Sequence, residues 1–203
     1  MPWEARPRHF PAGCAGRKAE HHQTTSGTLQ SVQPFLKWPG GKRWLVPEII
    51  KLIKGYNYGI YREPFLGGGA LFFALQPDNS VLSDINSDLI NTYYQVKHNS
   101  RLVLQCLRPL PVNQVTYNYF RDSCPASPLE RAVRFLYLNR TAFGGMYRLN
   151  KRGEFNVPFG GGERTTAPRW EYGLVTLSAR VLQRARLLAV DFEHGSLKQP
   201  RAI

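Results

Sequence analysis

Between residues 58 and 75 a short run of β-formers, Tyr58, Ile60 and Tyr61, breaks at Pro64 and at three consecutive glycines, Gly67, Gly68 and Gly69. It then resumes as an apolar run of good helix formers, from Ala70 to Leu75. Few local folds accommodate that order, which reads as strand, tight turn and helix. Glycine at such a turn adopts positive φ without a Cβ penalty and lets a ligand approach the backbone. The free N–H groups of the following helix's first turn point at the same place. The pattern fits a nucleotide-like ligand, and it equally fits a turn that binds nothing. A second run, residues 80–86, favours the ligand. It is β-like and ends in an acid, Asp84, 15 residues past Gly69. In nucleotide-binding βαβ units an acid about 20 residues beyond the glycines takes the ribose hydroxyls. The spacing is short for a dinucleotide and workable for a smaller ligand.

A chain of 203 residues with 42% hydrophobic content can build one core, with or without a small insert. No apolar run approaches the roughly 20 residues of a membrane span, and residues 1–33 lack the apolar central block of a secretory signal. Cys14, Cys106 and Cys124 show no metal-ligand spacing and fit reduced thiols in a cytosolic protein. The net charge is +13, of which residues 101–170 carry +7. A basic excess concentrated in this way attracts phosphate backbones, although a solvated basic surface has the same composition.

Residues 1–33 are rich in Pro, Gly, His and Thr without periodicity, and the expectation is a disordered tail in which His21 and His22 are inert. Order is expected to begin near Pro34. Gly40, Gly41 and Lys42 resemble a piece of a phosphate loop, but Leu36 and Arg43 stand where that motif needs Gly and Ser or Thr. A helix is predicted over 43–53 with Trp44, Leu45, Ile49 and Leu52 toward the core. Others are predicted over 87–96 (capped by Asn86 or Ser87), 101–107, 128–139 and 170–186, with a polar connection over 113–122. A strand over 185–192 ends near Asp191, and residues 160–167 and 193–203 read as loop and polar end. Residues 139–160 alternate aromatics, cations and glycines, which reads as a β-hairpin with large side chains at its tip and not as a core element. Aromatics beside Arg and Lys suit base stacking with phosphate contact.

Four stretches together resemble the Dam-type DNA N6-adenine methyltransferases, over about residues 34–192. Phe35-Leu36-Lys37-Trp38-Pro39-Gly40-Gly41-Lys42 is similar to the family's N-terminal cofactor motif. Glu63-Pro64-Phe65-Leu66-Gly67-Gly68-Gly69 is similar to its Phe-x-Gly-x-Gly motif, and Asp84-Ile85-Asn86-Ser87-Asp88 to its acidic ribose-side motif. Leu136 to Arg140 and Arg152 to Gly160 resemble its target-recognition insert. The resemblance implies an α/β fold, a Rossmann-like methyltransferase sheet that would be incomplete here, carrying a helical and β-hairpin DNA-recognition insert. The implied division is a tail over 1–33, a part binding S-adenosylmethionine over 34–100, the insert over 101–170, and a return to the sheet over 171–203.

The resemblance also implies roles. Trp38, Lys42 and Asp84 would contact S-adenosylmethionine, and Phe65, Gly67 and Gly69 would form the turn around its methionine moiety. Phe143, Met146 and Arg148 would meet bases, with Phe143 where relatives can carry tyrosine, and Arg148 suited to a bidentate guanine contact. Arg140, Lys151 and Arg152 would meet phosphates. The implied partner is double-stranded DNA, the recognition sequence compatible with GATC, the state a cytoplasmic, nucleoid-associated monomer with no metal.

One family element has no counterpart. Such enzymes flip the adenine and hold its amino group with an Asp-Pro-Pro-Tyr motif, and that tetrapeptide occurs nowhere in the 203 residues. No catalytic residue is therefore assigned. The expectation is the N-terminal portion of a methyltransferase, inactive by itself, with Asp191 and Glu193 as the nearest acids. Two classes stay open at this stage: an adenine-specific DNA methyltransferase, and a non-catalytic remnant that binds DNA and cofactor.

Overall fold

A computed structural model of the chain describes residues 32–56, 59–161 and 172–193. The expected tail with its two histidines, Cys14, Tyr58, Trp170, most of the loop over 160–167 and the polar end beyond Glu193 lie outside the described residues. Val32, the first described residue, is already buried.

A 3-10 turn at Arg43–Leu45 leads into α1, Val46–Ile53, with Pro47 in its first turn, where a missing N–H costs nothing. This helix carries no buried residue. Trp44 is 73% exposed and Leu52 75%, which corrects the expectation that both face the core. The periodicity reports an apolar stripe, and only the surrounding fold decides whether anything covers it.

The glycine stretch folds as read: β1 is Tyr61–Glu63, and α2 is Ala70–Leu75. In α2, Phe72 and Phe73 are wholly buried, worth about 1.5–3 kcal/mol each. β2, Ser80–Asp84, pairs in parallel with β1, Glu63 opposite Leu82. β3, Ala185–Ala189, pairs in parallel with the other side of β2, Asp84 opposite Ala189. Among the described residues the sheet has three strands in the order β1-β2-β3. β3 stops two residues short of Asp191, which follows in irregular chain.

Ser87–Leu107, α3, comprises two helical segments joined across a kink, in keeping with the two patches read from the sequence. Asn99 is non-helical at φ −132°, ψ 28°, and this kink separates the two periodicities. Asn86 takes the cap, its side chain accepting from Leu89 N at 3.0 Å. Residues 113–122, expected as a connection, contain α4, Gln114–Asp122. Asn113 caps it, accepting from Thr116 N at 2.8 Å. Only Thr116, Tyr117 and Phe120 are buried on it. Tyrosines interleaved with polar residues hid that narrow face. α5, Pro128–Thr141, stacks Tyr137 on Phe120 at 4.6 Å. α6, Tyr172–Leu182, ends where Gln183 N and Arg184 N fold back on Arg180 O and Val181 O. The core runs from Phe35 through α2, α3 and α5 to β3, Phe35 packing edge-on to Tyr93 at 5.1 Å.

The stretch after α5 departs furthest from expectation. It is a hairpin held by two isolated antiparallel bridges, Ala142 with Phe159 and Leu149 with Phe155, and carries no ladder. Its base is also core: Phe155 and Val157 are buried, and Tyr117 Oη donates to Val157 O at 2.8 Å. Phe155 and Val157 face the helices, while Phe143, Leu149 and the cations Arg148, Lys151 and Arg152 stay outside. Cys106 is buried, and Cys124 is free and exposed.

Candidate functional site

In a parallel sheet all carboxyl ends lie at one edge, and ligands of α/β folds sit outside that edge. Here Glu63 closes β1, Asp84 closes β2, and Asp191 follows β3 by two residues. Three acids from separated parts of the chain are thus brought to one end.

Asp84 organises the turn between β1 and α2. Its Oδ2 accepts from Gly67 N at 3.0 Å, and its Oδ1 accepts from Asn86 N at 3.0 Å. Each oxygen keeps a further lone pair for a ligand hydroxyl. Leu66 N donates to Ser83 O at 3.0 Å, and Tyr93 Oη donates to Gly67 O at 3.0 Å. Gly67 and Gly69 have φ of +49° and +67°, where L-residues are strained. A Cβ on Gly67 would lie 2.8 Å from Trp38 Cδ1. The Trp38 indole therefore rests directly on the glycine turn, and only glycine admits it there.

Sequence reasoning quoted Glu63 within a motif but gave it no role. Its Oε2 accepts from Phe72 N at 3.1 Å and from Tyr61 Oη at 2.8 Å, so it caps the first turn of α2. Burial pushes its carboxyl up to about 7, against the two hydrogen bonds, which favour the charged form. Burial, with the charges of Glu63 and Asp84, holds the Tyr93 hydroxyl well above its ordinary range, as a neutral donor. The signal available in the sequence was the same as for Asp84, an acid at a strand end.

The other expected cofactor residues are spread around this turn. Phe65 is 71% exposed and packs on Phe192 at 5.2 Å, joining the chain after β1 to the chain after β3. Ile85, next to Asp84, is likewise exposed. Lys42 is exposed, and its Nζ donates to Gly40 O at 2.8 Å. Exposed apolar rings, a glycine cradle and an acid with spare lone pairs suit a nucleoside carrying a small charged group, and S-adenosylmethionine is such a molecule.

Beside this end stand the residues expected to meet DNA. Phe143 is 59% exposed within a short turn, Phe143–Gly145. Arg148 is exposed, its Nε donating to Asn156 Oδ1 at 2.9 Å. Lys151 and Arg152 project from a turn built on Asn150, whose Oδ1 accepts from Arg152 N at 2.9 Å and Glu154 N at 3.0 Å. Met146 is half-buried and packs against the core. Arg140 is half-buried as well and donates to Phe35 O at 2.7 Å, so at least part of its guanidinium serves the fold.

Two residues that the sequence did not single out join these regions. Asn139 is 0% exposed; its Oδ1 accepts from Lys37 N at 3.0 Å and its Nδ2 donates to Lys37 O at 2.6 Å. Tyr147 stacks on Trp38 at 5.8 Å, with 19° between the planes. Neither carries a local pattern that would have revealed it.

A 41% identical stretch of 140 residues covers 64% of this chain and 48% of the type II methyltransferase M1.LlaDCHI of Lactococcus lactis subsp. cremoris. The DNA adenine methylase of Haemophilus influenzae is 37% identical over 168 residues, 79% of this chain and 57% of that protein. That of Escherichia coli K12 is 42% identical over 139 residues, covering 65% and 49%. The chain spans about half the length of these curated relatives. Residues 38–201 match the family model of D12 class N6 adenine-specific DNA methyltransferases, and the chain belongs to that family.

Proposed function

We propose that the described residues form the cofactor cradle and DNA-reading segment of adenine-N6 methylation in duplex DNA, with S-adenosylmethionine as donor. The observation that carries this reading is the Asp84 carboxylate, fixed by Gly67 N and Asn86 N at the carboxyl edge of a parallel sheet. The donor, when bound, supplies an electrophilic methyl group on a sulfonium.

Asp84 accepts the ribose hydroxyls with the lone pairs its backbone donors leave free. Trp38 walls the turn, Gly67 and Gly69 let the backbone close on the amino-acid part, and Lys42 meets its carboxylate as a point charge. Phe65 covers the apolar side together with its partner Phe192. On the DNA side Phe143, Met146 and Arg148 approach bases. Lys151 and Arg152 neutralise phosphates, and Arg140 adds charge while keeping its tie to Phe35. On this reading residues 34–100 serve the cofactor, 101–170 the DNA, and 171–193 return to the sheet. The helix α3 crosses the first of those boundaries. The protein acts as a monomer.

Calorimetric titration with S-adenosylmethionine tests the reading. Asp84→Ala is expected to weaken binding about tenfold, near 1.4 kcal/mol, for loss of a charge-assisted acceptor. Equal affinity in the unaltered chain and the variant would overturn it.

A further inference from the structure

We propose that Tyr147 is a positioning residue, through which engagement of DNA by the 143–152 segment sets the geometry of the cofactor cradle. Tyr147 lies next to Arg148 and four residues beyond Phe143, within the segment read as facing DNA. Yet its side chain turns inward, to the other site. Its ring stacks on Trp38, lies against Phe135 at 4.6 Å and meets Phe155 edge-on at 5.5 Å. One side chain of this segment thus touches the indole that walls the glycine turn.

The surrounding contacts leave little slack. Asn139 Nδ2 also faces Gly145 O at 3.4 Å, so a single buried amide spans residues 37 and 145. A Cβ on Gly145 would collide with the Lys37 side chain, which shows how closely the two segments approach. A shift of the 143–148 backbone on meeting a duplex therefore moves Tyr147, and with it Trp38. Two sites that bias one shared element are coupled by a free energy that each ligand reads equally.

The inference rests on the functional reading above, and the test separates the two. S-adenosylmethionine affinity is measured by calorimetry on the whole chain, alone and with saturating unmethylated duplex DNA. The unaltered chain is expected to bind the cofactor more tightly with DNA, by a factor on the order of 5 to 150. Tyr147→Leu removes the stack on Trp38 and is expected to bring that factor close to one, while Tyr147→Phe keeps the ring and is expected to retain it. Tyr94→Phe, whose ring meets only His98 among the described rings, at 4.4 Å, is expected to leave the factor unchanged. A factor in Tyr147→Leu equal to that of the unaltered chain overturns the inference while the functional reading stands. No cofactor binding by the unaltered chain overturns that reading and this one with it.

Discussion

The glycine turn and the recognition segment solve opposite problems within one small fold. Around the turn nearly every polar group is consumed internally: Asp84 holds Gly67 and Asn86, Glu63 holds α2, and Tyr93 holds Gly67 O. That is preorganisation, with the ordering cost met during folding and not on binding. The segment expected to meet DNA is pinned by buried Phe155 and Val157, by Asn139 and by the Tyr147 ring, and sends Arg148, Lys151 and Arg152 to solvent. Cations that must meet phosphates have to stay hydrated until they do. On the proposed function, the contrast teaches that a cofactor would meet a turn fixed by internal hydrogen bonds, and DNA would meet side chains on a pinned frame.

The most damaging way to break the comparison is to cut the frame. Asn139→Ala leaves the partly buried Lys37 N–H and C=O without their side-chain partner and empties the buried Asn139 site. It is expected to cost about 3–4 kcal/mol, read as a lowered denaturant midpoint in chemical unfolding. A loss of only a few tenths would show that the two regions are not joined through this amide.

Next in size is the charge inside the turn. Glu63 has its folded pKa raised from 4.5 to about 7 by burial, so the folded state holds its proton where the unfolded chain has released it. Stability is then fully present below about pH 4.5 and is lost as pH rises toward 7, by at most about 3 kcal/mol. Glu63→Gln keeps an acceptor for Tyr61 Oη and Phe72 N and removes the titration. The variant's unfolding free energy, measured across that window, is expected to lose this slope; an unchanged slope would place the titration elsewhere.

The smallest effects lie on the recognition side and sharpen the contrast. Arg148→Ala is expected to cost about 1–3 kcal/mol of preference between duplexes of different sequence. Lys151→Ala should weaken all duplexes alike and lower the salt dependence by about one charge. Competition binding against an array of duplexes at several salt concentrations measures both. Loss of preference from Lys151→Ala, or uniform weakening from Arg148→Ala, would reverse their assigned roles.

What the sequence determined by itself was local. Three glycines after a short β-run, and an acid closing the next run, specify strand, turn, helix and strand, because positive φ and chain reversal are properties of a few adjacent residues. The Dam-type motifs were legible for the same reason, each lying within one short stretch. The basic excess of residues 101–170 was legible too, since charge needs no fold to be counted. What only the tertiary structure decided was which surfaces meet. Trp44 and Leu52 carry a core-like period and stay in water, while Thr116, Tyr117 and Phe120, within a stretch that read as a connection, form a buried helix face. Asn139 and Tyr147 look ordinary in the sequence and become the joints between its halves, Asn139 because a closed core makes an unpartnered amide costly. Tyr147 does so because Trp38, 109 positions away in the chain, is brought against its ring. Pairing across such distances is set by packing of the whole, and no local pattern encodes it.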